Sequence, residues 1–213
     1  MNRIKLVIFL LVSLFYISSF VFAEDWEYWS QYEVGGSINN NLCFKIKPEL
    51  RFNNDLNNYY RHFETGLDLK SYKSFALGLY YRIIYVEKNE NWKVEHRPHI
   101  NAELKWKTKG CSFSDRNRVE YRIEEKKESF RYRNRFMVQF PVFLKLKIQP
   151  YLALEPFYDF RANEINKNRA YAGFNCKVVG NFNAGIFYII EGNLKEDDWE
   201  NVNILGTTLK HNF

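Results

Sequence analysis

The sequence predicts an all-β protein: a single antiparallel up-and-down transmembrane β-barrel of ten or twelve strands, behind a cleaved leader. Three observations carry that expectation. Apolar and polar residues alternate along almost the whole chain after Trp26, which is the period of a strand and not of a helix. Aromatic residues make up 18% of the chain, while Gly and Pro are too scarce for a disordered or fibrous protein. Beyond the leader no segment has the long apolar run of a membrane helix. A membrane barrel lacks such a run too, because only every second strand residue meets lipid and averaging hides the signal.

The first element is the leader. Arg3 and Lys5 precede an apolar run from Leu6 to Phe20, broken by Ser13, Ser18 and Ser19, and then come Val21-Phe22-Ala23. That is the anatomy of a secretory signal peptide over residues 1–23, with cleavage before Glu24 and a mature domain over 24–213. No cysteine follows Ala23, so no lipid anchor is expected at the new N-terminus.

Eleven candidate strands follow, centred near Tyr32, Phe44, Leu67, Tyr81, Ile100, Val119, Arg133, Leu152, Phe174, Ile186 and Leu209. The clearest sets Leu42, Phe44, Ile46, Pro48, Leu50 and Phe52 on one face, with Cys43, Lys45, Lys47, Glu49, Arg51 and Asn53 on the other. Phe75 to Tyr85 and Phe182 to Glu191 repeat the pattern. The breaks at 39–41, 71–74, 107–110, 141–144 and 179–181 read as tight turns. Those at 54–60, 87–93, 125–129, 162–168 and 192–200 read as longer polar loops. Short turns at one end and long loops at the other is the layout of an outer-membrane barrel. Several candidates reach the roughly 9 to 11 residues of a tilted membrane strand. The last, Leu205 to Phe213, ends on an aromatic residue, as do many barrels read by the outer-membrane assembly machinery. Bacterial single-chain barrels have even strand numbers, so ten or twelve is expected in place of eleven, with one candidate missed, split or not spanning.

Without Arg3 and Lys5 the 31 basic residues become 29, which against 25 acids leaves a mature net charge of +4. The charges are mixed along every segment, unlike the patch or tail of a nucleic-acid binder, and no nucleic acid is expected as a partner. Cys43, Cys111 and Cys176 are far apart and match no metal spacing, so they read as mostly free thiols. No cofactor is expected.

If the apolar faces point outward, the polar faces line a lumen. Its wall would hold Arg116, Arg118, Glu120, Arg122 and Glu124 on one strand and Arg131, Arg133 and Arg135 on its hairpin neighbour. Glu95, Arg97, His99, Glu103 and Lys105 would join them, as would Glu64, Asp68, Glu155 and Asp159. The leading reading is an ion-paired filling, since small barrels are packed by side chains. The alternative is a constriction or binding wall for a small polar or anionic solute, made of Arg97, His99, Arg116, Arg118, Glu120, Arg122, Arg131, Arg133, Arg135 and Glu155. A third reading, a soluble periplasmic lipocalin-like barrel, would turn the apolar faces inward around a greasy ligand. A lipid hydrolase is the last, resting only on His99 and a conceivable contact with Ser112 or Ser114. No enzyme is expected and no catalytic or metal residue is assigned. Tyr28, Tyr32, Tyr81, Tyr85, Trp106, Tyr158 and Tyr188 fall on outward faces, suiting a belt at the lipid headgroups.

Several short motifs also recur in order: Trp26 to Trp29, Lys45-Ile46-Lys47-Pro48-Glu49-Leu50-Arg51, Trp92 leading into Glu95-His96-Arg97, and Arg131-Tyr132-Arg133-Asn134-Arg135. Pro150-Tyr151, Glu155-Pro156-Phe157-Tyr158 and Arg169 before Gly173 complete the series. With these the whole mature chain resembles the domain of unknown function 2490 family, uncharacterised bacterial outer-membrane barrels. The resemblance implies the outer membrane of a Gram-negative bacterium, outer-membrane lipid as surroundings, and periplasmic chaperones and the barrel-assembly machinery as partners in biogenesis. It carries over no catalytic residue.

Overall fold

The structure is a computed structural model that describes residues 26–213 except 73, 126, 144–146 and 197; the expected leader over 1–23 lies outside the described residues. Among the described residues the chain forms eleven strands. They are β1 Trp26–Ser37, β2 Leu42–Phe52, β3 Asn58–Tyr72, β4 Phe75–Lys88, β5 Asn91–Thr108, β6 Cys111–Glu124, β7 Lys127–Gln139, β8 Ile148–Asp159, β9 Glu164–Val179, β10 Phe182–Lys195 and β11 Asp198–Asn212. Each of the eleven expected strand centres falls inside one of them. Consecutive strands pair antiparallel, and β1 closes on β11.

The strand number corrects the expectation of ten or twelve. An up-and-down chain with an odd number of strands brings its first and last strands together in the same direction, so the closing pair must be parallel. That is what β1 and β11 do, in register from Trp26 opposite Asn203 to Gly35 opposite Asn212.

The loop lengths are corrected as well. The polar stretch over 87–93 is a two-residue turn, Asn89-Glu90, with φ of 51° and 62°; Lys88 and Asn91 still pair. Positive φ at both central residues marks the turn that fits the twist of a hairpin. Residues 162–168 and 192–200 likewise belong mostly to strands, leaving 160–163 as one connection and ending β10 at Lys195 before β11 resumes at Asp198. The longest connection is 140–147, where a tight break was expected. Polar residues at these ends continue the ladder, so composition alone mistook strand for loop.

Alternation sorts the side chains by face. Leu79, Ile100 and Leu154 are 63%, 59% and 61% exposed on the outer wall, whereas Glu64, Arg118, Glu120 and Glu155 are almost wholly buried inside. The inward apolar arrangement of a lipocalin-like barrel is therefore not the one found. On β4 the outward apolar residues run from Phe75 to Tyr85. Ten residues rise about 33 Å along a strand, or about 25 Å along the axis when it tilts by about 40°. A cluster of polar side chains on β6 and β7 interrupts the apolar outer wall. Asn134 donates to Asp115 and, at 3.2 Å, to Asn117, which also accepts from Tyr132 at 2.5 Å.

Inside, the wall has two kinds of filling. An apolar cluster of Trp29, Tyr151, Ala153, Tyr171, Phe187, Ile189 and Ile204 winds from β8 to the closing strands. Glycines let its rings lie flat on the sheet: a Cβ on Gly206 would meet the Phe187 ring at 2.1 Å. Gly66 serves Tyr80 in the same way at 2.2 Å. Most of the rest of the interior is polar or charged, with Tyr60, Tyr80, Ile84 and Phe157 buried among it.

Candidate functional site

Strand pairing brings like charges face to face. Arg116 lies opposite Arg135, Arg118 opposite Arg133, and Glu120 opposite Arg131 across the β6–β7 hairpin. Directly opposed arginines repel, so the belt depends on where its carboxylates stand. Glu120, with no exposed surface, accepts from Arg131 at 2.7 and 2.9 Å and lies 3.2 Å from Arg133, 3.6 Å from Arg118 and 3.7 Å from Arg97. Glu64 accepts from Arg82 at 2.8 Å and faces Lys47 at 3.4 Å, His99 at 3.5 Å and Arg118 at 3.7 Å. Glu155 takes Arg116 at 3.1 Å and the Tyr171 hydroxyl at 2.6 Å, with Arg133 and Arg169 at 3.8 and 3.9 Å.

Three further glutamates extend the belt toward one end of the barrel. Glu191 holds Lys167 at 2.5 Å and Arg169 at 2.6 Å. Glu49 holds Arg51 at 2.6 Å and Gln31 at 2.8 Å. Glu95 holds Arg97 at 2.6 Å and Arg122 at 2.9 Å. Each carboxylate thus serves two or more donors, and the pairs run across the barrel's interior.

All ten residues of the expected wall face inward, and nine of them join this network by ion pairs. The exception is Arg135, which among the described residues has no ion-pair partner and lies over the Tyr171 ring at 4.5 Å. The Ser–His contact is not made. His99 is in register with Glu120, while Ser114 is opposite Lys105, six residues further along the strand or about 20 Å. His99 instead stacks on Tyr80 at 5.3 Å. Among the outlying members, Asp68 pairs with Lys45 at 2.6 Å, Glu103 with Lys105 at 2.8 Å, and Asp159 caps the Arg161 amide at 2.9 Å. Cys43, Cys111 and Cys176 are free thiols.

Sequence reasoning left Lys47, Glu49, Arg51, Arg82, Arg169 and Glu191 out of the wall. The signal for them was present, since each shares the inward parity of its strand. Of the inward aromatics, Trp29 and Tyr171 were missed, and Trp29 lies 3.5 Å from the guanidinium of Arg51 and 4.8 Å from that of Arg169.

Among the described residues the network leaves three larger spaces. At the end bearing the Asn89-Glu90 turn is a vestibule of about 480 Å³. Beneath it is an inner cavity of about 160 Å³. The opposite mouth, beside Phe213, holds about 610 Å³.

A family described as "Protein of unknown function (DUF2490)" matches residues 26–201. No curated protein matches the chain.

Proposed function

The chain belongs to the DUF2490 family, and we propose that this member is an outer-membrane β-barrel whose charged network braces and closes the lumen. The observation that carries the proposal is the inverted wall. Thirty-four large apolar side chains are exposed among the described residues, far beyond the scattered apolar surface of a soluble monomer. The outward band on β4 has the height, about 25 Å, of the lipid-facing band of such barrels. The surroundings implied are outer-membrane lipid, with periplasmic chaperones and the assembly machinery acting during biogenesis. No catalytic step is part of this reading.

The pairing supports a closed lumen. A buried ion pair is a poor source of stability but is costly to break, because the remaining charge is stranded away from water. The belt is suited to holding the wall in one shape. Fractionation of the expressed protein tests the location: it is expected in the outer-membrane fraction, with gel mobility that shifts on boiling. Recovery from the soluble periplasm would overturn the proposal. In planar bilayers the native barrel should show no large steady conductance, and an open pore would contradict the closed lumen.

A further inference from the structure

We propose that the vestibule and the inner cavity form a binding site for a phosphate-like oxyanion, gripped where the two spaces meet by Arg51, Arg82, Arg133 and Arg169. These four are the residues that line both spaces, and all four are arginines. The inference goes beyond a bracing role for the belt and holds whatever surrounds the barrel.

The two mouths differ in charge. Eleven Lys and Arg against three Glu line the vestibule, whereas the opposite mouth has three Lys against Asp68 and Glu103. The inner cavity has nine Lys and Arg against four Glu. The carboxylates that hold the septal arginines do not neutralise them in full. Each arginine leans on one close partner: Arg51 on Glu49, Arg82 on Glu64, Arg133 on Glu120 and Arg169 on Glu191. A guanidinium carries five donors in a planar fork, so edges remain free. Among the described residues the Nε of Arg135 is buried with no hydrogen-bond partner and no carboxylate within ion-pair distance, while the Nε of Arg133 and Nη1 of Arg118, also without a hydrogen bond, face Glu120 at 3.2 and 3.6 Å. Buried donors without acceptors are costly, and all three residues line the inner cavity.

Aromatic faces hold the guanidiniums in place. Arg133 and Arg169 lie over the Phe157 ring at 5.3 and 4.9 Å, and Arg51 and Arg169 over Trp29. With one face stacked, the N–H edges are left for an acceptor, and a fork of this kind matches phosphate or carboxylate bidentately. The inner cavity equals about five water volumes at roughly 30 Å³ each. It has room for one tetrahedral group and no large body, so the rest of a solute would sit in the vestibule. At the rim Lys88 and Lys127 are exposed, with no carboxylate within ion-pair distance among the described residues, and they would draw anions in.

The test uses the folded barrel in uncharged detergent, with thermal unfolding followed against inorganic phosphate, pyrophosphate, micelles of a phosphorylated lipid, and sodium chloride at equal ionic strength. A saturable rise in Tm with phosphate or pyrophosphate, unmatched by chloride, supports a free solute; a rise with the lipid alone supports a headgroup as source. Arg169→Lys keeps the charge and loses the fork, and should weaken binding at least tenfold. Should that variant fail to fold, the rim pair Lys88→Gln/Lys127→Gln is expected to weaken binding severalfold at low salt. No saturable rise with any phosphate, a rise that chloride reproduces, or unchanged affinity in the variants that fold would overturn the site.

Discussion

The charged belt and the apolar cluster fill one barrel in opposite ways. In the belt most of the glutamates answer two or more cations at once, as Glu120 does for Arg97, Arg118, Arg131 and Arg133. In the cluster Ile189 and Ile204 stand opposite each other on β10 and β11 with no polar obligation, close to the parallel seam. Removing an apolar side chain forfeits its own contacts and leaves a cavity, whereas removing a carboxylate leaves several charges unanswered. The belt should therefore be brittle and the cluster graded.

The largest expected effect follows from that contrast. Glu120→Ala should destabilise the barrel by about 3–5 kcal/mol, the cost of breaking a buried charge pair, read as a shift in urea midpoint in detergent. Ile204→Ala should cost somewhat less, about 3 kcal/mol, within the range for a buried aliphatic truncation. If the two losses came out in the reverse order, the belt would be filling and not a brace. A Cβ on Gly66 meets Tyr80 at 2.2 Å and the Leu79 carbonyl oxygen at 2.5 Å. Gly66→Ala should thus cost about 1–3 kcal/mol through overpacking, and Tyr80→Leu should relieve part of that loss. The smallest effect marks the belt's limit: Lys93 and Glu125 pair at 3.3 Å in open solvent, and Lys93→Ala should change stability by no more than about 0.5 kcal/mol.

Much of this architecture was legible because a strand's period is two. Parity alone sorted Phe44 from Lys45, Leu79 from Tyr80 and Ile186 from Phe187, and it found eleven strands. A general preference for even numbers then displaced the direct count, although a parallel seam accommodates an odd one. Loop lengths were not legible, since residues such as Glu87 and Lys88 are polar for lying beyond the apolar band and not for leaving the sheet. Pairing was hidden for another reason. Register decides that His99 faces Glu120 instead of Ser114, and register depends on turn geometry that no single segment reveals. Trp29 and Tyr171 escaped because an aromatic on the inner face looks like a lapse in the alternation, when it is the floor against which arginines stack.

The proposal sets the apolar wall against lipid and the charged wall around the lumen. Spin labels placed at Leu79→Cys, Ile100→Cys and Leu154→Cys, in a background with Cys43, Cys111 and Cys176 changed to Ser, test it in reconstituted outer-membrane lipid. The inverted wall predicts labels readily reached by dissolved oxygen and shielded from a water-soluble nickel chelate, with Lys88→Cys at the rim giving the opposite pattern. Equal access of the chelate to the first three positions would mean that the wall stands in water.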